Sequence, residues 1–388
     1  MAQLSRPPRI LFLFSDTGGG HRSVCEAVIE AVQSEFGGVI ETEMVDFLRD
    51  YYPWPFNKLP EIYREAVKFP AAYGKFWHTI NTPQRTRALL DLGRFSAQLC
   101  RQFAQMLADY QADLVVLTHY MALPPLDWMA VENRPKTTMI VTDLVSTHAT
   151  WFRNVIDHYI VPTPAARDHA LAHGIDAHKI DLIGLPVADR FAQHNESKAT
   201  LRSDFGWHLE KPIVLLMGGG EGMGPLFTNA HAIAHTGLDL ELVVIAGRNH
   251  KLRAKLESQT WANKMHVYGF VHEMHRFMQA ADVLVTKAGP SSICEGLNAG
   301  LPIVLYDRLP GQEEGNVTYL LEGGAGHYAP QPQQVVEILG EWLGNSAEFQ
   351  RITHNATQLA QPDAARQIAH RLIEVAGLQP RNLQPFIK

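Results

Sequence analysis

The residues best placed to do chemistry stand where short apolar runs give way to glycine. In "ILFLFSDTGGGHRS" (10–23) the chain leaves an apolar run through three glycines, Gly18, Gly19 and Gly20, and sets His21 in the first turn of the next amphipathic segment. Glycine serves where backbone must adopt positive φ or approach a ligand closely, and a helix start offers unpaired N–H groups and partial positive charge. That charge disfavours an imidazolium, so His21 is expected to be neutral and able to accept a proton. Asp16 and Asp143 are the alternative bases, with His21 then only hydrogen-bonding a ligand.

A second constellation lies in the other half of the chain. "LLMGGGEGMGP" (215–225) is another apolar-to-glycine turn, and "TKAGPSSICEGLNAG" (286–300) places Ser291 and Ser292 just before a helical pattern. Hydroxyls and free N–H groups at a helix start suit a phosphate, and Glu295, one turn on, suits a ribose diol. "DRLPGQEEGN" (307–316) adds Gln312, Glu313, Glu314 and Asn316, amides and carboxylates that suit sugar hydroxyls. The readings as helix caps and solvated loop compete with these. A dinucleotide fingerprint is incomplete, because Ser23 stands where the last glycine of G-x-G-x-x-G belongs. The pairs His169/His173 and His231/His235 have no evident third ligand, "HEMH" (272–275) is not a zinc-protease motif, and no Asp-x-Asp pair presents itself. The expectation is no metal and no cofactor.

The elements that must position these residues are strands alternating with helices. "RILFLFS", "ETEMVDF", "DLVVLTH", "TTMIVTD" and "HYIVPT" read as strands of a first parallel sheet. "PIVLLMGGGEG", "ELVVIAG", "MHVYGF", "ADVLVTKAG" and "PIVLYD" read as strands of a second. The fold class is α/β, two Rossmann-like doubly wound domains, with a ligand expected between them at the carboxyl ends of the strands. The division is placed near Pro186: residues 1–186, then 187–365, then a helix and tail (366–388) that could cross back to the first half. A net charge of −6 argues against a general nucleic-acid binder. Three scattered cysteines, Cys25, Cys100 and Cys294, point to reduced thiols. No apolar stretch approaches the ~18 residues of a spanning helix, so the chain is expected to be soluble or peripheral.

One segment breaks the alternation. Ten of the 31 residues from Phe47 to Trp77 are aromatic, against 35 in all 388, and Arg49, Lys58, Arg64, Lys68 and Lys75 are interleaved. Rings and cations together suit the lipid–water interface; a helical excursion with its own local core is the other reading.

"SDTGGGHRS", "VTDLVSTHATWF", "LLMGGGEGMGP", "TKAGP" and "PGQEEGN", in order from about Ile10 to Gly326, resemble the plant and bacterial monogalactosyldiacylglycerol synthases of glycosyltransferase family 28. The resemblance implies a GT-B fold, two domains facing a central cleft, and inverting transfer of a hexose from UDP-galactose or UDP-glucose to diacylglycerol. It further implies that Gly219, Gly220 and Glu221 line the donor site, with Phe270 and Val271 near the uracil. Ser291 and Ser292 would take the phosphates, Glu295 the ribose, and Gln312, Glu313 and Asn316 the donor sugar. His21 would be the catalytic base. Gly19, Gly20, His148 and Trp151, with Trp54 and Trp77 of the aromatic segment (about 47–80), would lie on the acceptor and lipid side, where anionic lipid is sensed. The expected location is peripheral, on the cytoplasmic face of a membrane. This chain departs from the plant pattern at Ser291 and Ser292, where glycine and threonine follow "AGP", and at Val24 and Cys25. The rivals are glucosyl transfer or another lipid acceptor, a UDP-N-acetylglucosamine 2-epimerase, and a nucleotide-sugar binding module without catalysis.

Overall fold

The computed structural model describes residues 6–378 apart from 18, 83, 87, 89–96 and 131–133. Gly18 and the tail beyond 378 thus lie outside the described residues. The chain divides into two units, one of residues 1–188, 310–312 and 363–388, the other of 189–309 and 313–362.

The first unit is built on six parallel strands: β1 (Arg9–Phe14), β2 (Glu41–Asp46), β3 (Leu114–Leu117), β4 (Lys136–Ile140), β5 (His158–Val161) and β6 (Ile180–Leu182). Their order across the sheet is β2-β1-β3-β4-β5-β6. The central strands are apolar along their whole length because helices cover both faces of a parallel sheet; Leu11, Leu13, Val115, Leu117 and Met139 join Phe103 and Trp151 in one core. The Gly20–Phe36 helix turns Val24, Cys25, Val28, Ala31 and Val32 inward at three- and four-residue spacing. The Ala364–Val375 helix belongs to this unit too. It packs on the Gly20–Phe36 helix, with His370 Nε2 3.1 Å from Glu35, and Lys136 donates to Val375 O at 3.1 Å.

The second unit repeats the plan with β7 (Ile213–Met217), β8 (Glu241–Ile245), β9 (Met265–Tyr268), β10 (Val283–Lys287), β11 (Ile303–Asp307) and β12 (Gly326–Tyr328), again all parallel. The order is β12-β11-β10-β7-β8-β9. The sequence pattern missed β6 and β12. Each is a three-residue strand at a sheet edge, too short for periodicity to register.

These orders decide where a ligand can sit. In the first sheet the chain steps from β1 outward to β2 and then back to β3 on the other side. In the second it steps from β7 to β8 and β9 and returns to β10. The loops leaving β1 and β3, and those leaving β7 and β10, therefore diverge at a topological switch point, where open α/β sheets bind ligands.

Candidate functional site

In the first unit the switch point brings together two stretches almost a hundred residues apart. Leu13 of β1 lies beside Leu117 of β3, and Thr118 N–H continues the ladder to Leu13 O at 3.0 Å. Gly19 caps the Gly20–Phe36 helix at φ 86°, a left-handed conformation that only glycine adopts without strain. The turn delivers the His21 ring onto the end of β3. Its Nδ1 lies 2.5 Å from the Thr118 carbonyl and 3.2 Å from Thr142 Oγ1. A carbonyl only accepts, so the ring proton sits on Nδ1 and Nε2 keeps its lone pair. Burial pushes the His21 pKa from 6.5 down to about 4, against weaker pulls from the Thr118 carbonyl and the Asp16 charge. The imidazole is neutral at physiological pH.

Around it stand aromatic rings. His119 meets His21 edge to face at 4.7 Å, Tyr120 stacks on His119 at 4.7 Å, and the Trp151 ring is 6.2 Å from His21. Asp143 is buried. Its Oδ2 accepts the Trp151 indole N–H at 2.7 Å and its Oδ1 accepts from Gln312 Nε2 at 3.1 Å. Tyr73 in turn donates to Gln312 Oε1 at 2.9 Å. Both Asp143 oxygens are engaged, which is the geometry of an anchor. Asp16, half-buried at the end of β1, acts on His21 through its charge.

Three side chains expected on the lipid side are interior instead. Trp151 is fully buried, Trp77 is 6% exposed and His148 is 1% exposed. His148 accepts Thr150 N–H on Nδ1 at 3.1 Å and packs against Trp77 at 4.5 Å, and burial lowers its pKa to about 4. The physical reason is area: large rings gain most by leaving water, and the one polar atom of the Trp151 ring, its indole N–H, finds a partner inside. Trp54 is the reverse, 79% exposed, and it shares its segment with exposed Ile62, Phe69 and Phe76.

In the second unit the loop after β7 is shaped by its glycines. A Cβ on Gly218 would stand 2.2 Å from Met223 O, and one on Gly222, at φ +60°, 2.1 Å from Ala246 O. Gly219, at φ +69°, and Gly220 have room on their open sides, beside Lys287 and beside Arg248 and Phe270 respectively. Glu221 pairs with Arg248 at 2.8 Å, and the Arg248 guanidinium lies 4.4 Å over the half-exposed Phe270 ring, with Val271 next to it partly buried. After β10, Gly289 caps the Pro290–Asn298 helix and no side chain caps its first N–H groups. Ser291 and Ser292 occupy that first turn, partly buried. Glu295 is one turn deeper, where burial raises its pKa from 4.5 to about 7 against the pull of Arg190. Glu313 is buried and paired with Lys287, its Oε2 accepting Leu309 N–H at 2.8 Å. Asn316 donates to Ala288 O at 2.8 Å. The structure thus gathers Gly219, Ser291, Glu313 and Asn316 around the ends of β7, β10 and β11, while Phe270 and Glu221 mark the side toward β8 and β9.

Sequence reasoning passed over Thr118, His119, Thr142, Arg248 and Lys287. The signal was present in "VVLTH" and "VTKAG": a polar residue closing an otherwise apolar run marks the carboxyl end of a buried strand. Among the described residues no group of three or more His, Cys, Asp or Glu is arranged to hold a metal ion.

With the two sites in view, comparison with known proteins places the chain. Solved structures of the same two-sheet architecture include a UDP co-structure of MnaA from S. aureus, at 15% identity, TM-score 0.64, covering 98% of this chain and 100% of that one. MurG of Acinetobacter baumannii matches at 15% identity and TM-score 0.57 over 95% and 100%. A UDP-N-acetylglucosamine 2-epimerase matches at 13% and 0.60 over 98% and 100%. At such identities the likeness defines the fold alone, the GT-B fold. The family is defined by sequence: residues 21–187 match the monogalactosyldiacylglycerol (MGDG) synthase model, and 213–372 the glycosyltransferase family 28 C-terminal domain. A probable monogalactosyldiacylglycerol synthase of Glycine max is 38% identical over 384 residues, 95% of this chain and 72% of that protein. Monogalactosyldiacylglycerol synthase 1 of Arabidopsis thaliana is 36% identical over 387 residues, 96% and 72%. The chain belongs to the monogalactosyldiacylglycerol synthase family.

Proposed function

We propose that the protein transfers galactose from UDP-galactose to the free hydroxyl of 1,2-diacylglycerol with inversion at the anomeric carbon, working at a membrane surface and without a metal. The observation that carries the reading is the His21 ring: neutral, with its Nδ1 proton committed to Thr118 O, which leaves the Nε2 lone pair as the ring's acceptor. In the transfer, Nε2 takes the acceptor O–H proton while the hydroxyl oxygen forms its bond to the anomeric carbon. The bond from that carbon to the β-phosphate oxygen breaks, and the electron pair leaves with UDP. The second unit supports the departing charge with the uncapped helix start at Ser291 and Ser292. Membership of the family, with relatives named for monogalactosyldiacylglycerol, supports the choice of sugar and acceptor.

Action at a surface rests on the aromatic segment. No described helix is long and apolar enough to cross a membrane, yet Trp54, Ile62, Phe69 and Phe76 are exposed within 23 residues, flanked by exposed Lys58, Arg64, Lys68 and Lys75. Rings at headgroup depth and lysines on anionic lipid would hold the unit there. Flotation with anionic liposomes tests this: Trp54→Ala/Phe69→Ala/Phe76→Ala should lose most membrane binding, and unchanged flotation contradicts it.

The functional test is incubation of the protein with UDP-galactose or UDP-glucose and diacylglycerol, followed by lipid analysis and NMR of the anomeric linkage. A β-galactosyl lipid is expected. A glucosyl product would change the donor. Conversion of UDP-N-acetylglucosamine without any lipid product would favour the epimerase reading that the fold also accommodates.

A further inference from the structure

The reading above asks the second unit to stabilise a departing diphosphate, and hydroxyls with helix N–H groups supply no full positive charge. We propose that Lys287 is the cation of the donor site and that Glu313 is its exchangeable counter-anion, displaced when the diphosphate arrives. This inference rests on the UDP-sugar reading of the second unit.

Lys287 is the last residue of β10, next to β7 at the switch point, and the ladder to β11 slips between Thr286 and Lys287. Such an irregularity re-aims a side chain at the end of a strand. The consequence is visible at two glycines. A Cβ added to Gly219 would lie 3.9 Å from Lys287 Cε, and one added to Gly289 would lie 3.4 Å from Lys287 Nζ. The ammonium therefore lies between the glycine turn after β7 and the uncapped start of the Pro290–Asn298 helix. Both are bare backbone, open to a ligand that a side chain would exclude.

The charge is answered from within. Lys287 Nζ is paired with Glu313 Oε1, with side-chain exposures of 16% and 6%. A buried ammonium needs such a partner, because leaving it unpaired is strongly unfavourable. Asp307 lies nearby, its pKa raised by burial, and Glu313 is the carboxylate in contact with the ammonium. Glu313 is also the residue expected to meet the donor sugar. A diphosphate carries more charge than one carboxylate and offers several oxygens, so it replaces Glu313 on Lys287 and frees that carboxylate for sugar hydroxyls. One ion pair thus couples nucleotide binding to sugar recognition.

The test is titration calorimetry of UDP and of uridine on the full chain, for wild type, Lys287→Met, Lys287→Arg and Glu313→Gln. Wild type should prefer UDP over uridine. Lys287→Met should weaken UDP binding by about 10- to 100-fold and leave uridine affinity unchanged, which also reports an intact site. Lys287→Arg should recover most of the loss. Glu313→Gln, lacking the competing charge, should bind UDP as tightly as wild type or more so. UDP affinity unchanged in Lys287→Met overturns the cation role, and a tenfold loss in Glu313→Gln overturns the exchange. Absence of UDP binding by wild type would instead overturn the donor-site reading itself.

Discussion

The turns after β1 and β7 start from the same architecture, an apolar buried strand running into glycines beside a second strand at a switch point, and they carry opposite cargo. The first presents a titratable ring whose charge is suppressed by burial and whose tautomer is fixed by one carbonyl. The second is flanked by cationic side chains from other strand ends, Lys287 at the end of β10 and Arg248 after β8, each paired with a carboxylate. Their glycines differ as well. Gly19 has open space where a Cβ would go and is needed only for its φ, whereas Gly218 and Gly222 are needed because backbone passes within 2.2 Å of that position. On the proposed reading, one turn serves proton transfer and the other holds an anion.

Substitutions separate the two most sharply. His21→Ala should lower turnover on the order of 10²- to 10⁴-fold while UDP affinity, measured by calorimetry, stays at the wild-type value. A parallel loss of UDP binding would erase the division of labour. Gly222→Ala forces a Cβ to 2.1 Å from Ala246 O at positive φ and should cost on the order of 3 kcal/mol in a denaturant titration. Gly19→Ala, in open space, should cost only about 1 kcal/mol.

The pH profile sharpens the same contrast. Proton uptake at Nε2 removes the acceptor, so kcat/KM should hold to well below the ordinary histidine value and fall as pH approaches about 4. An acid limb centred near 6.5 would mean an unburied ring. Glu295, in the second unit, is displaced the other way, to about 7. Its folded pKa is raised, so the stability it contributes is present below its unfolded value and lost as pH climbs through 7. Glu295→Gln should therefore melt close to wild type at pH 4 and a few degrees above it at pH 8. This is the smallest expected effect.

Much of this arrangement is legible in the sequence, and the parts that are not share a cause. Ten strands announce themselves as short runs alternating with helical patterns, and His21, Ser291, Ser292 and Glu313 stand out because glycine or proline punctuates the chain beside them. Thr118 and Lys287 do not, because their significance comes from strand order: β3 beside β1, and β10 beside β7. Local periodicity says where a strand ends, not which strand ends next to it. The aromatic segment shows a similar limit. Composition marks it as unusual, but only packing separates Trp54, in water, from Trp77, which is inside against His148. Asp143 reads as an alternative base and Trp151 as a residue of the acceptor side, and three-dimensional packing makes them each other's partners.

The claim on which the account turns is the state of one ring, and nitrogen-15 NMR of the histidine side chains reads it directly. With the His21 signals assigned by their loss in His21→Gln, the spectrum at pH 6 should show a neutral imidazole protonated on Nδ1, its Nε2 shift that of a bare acceptor. An imidazolium at that pH, or a proton resident on Nε2, would contradict the account.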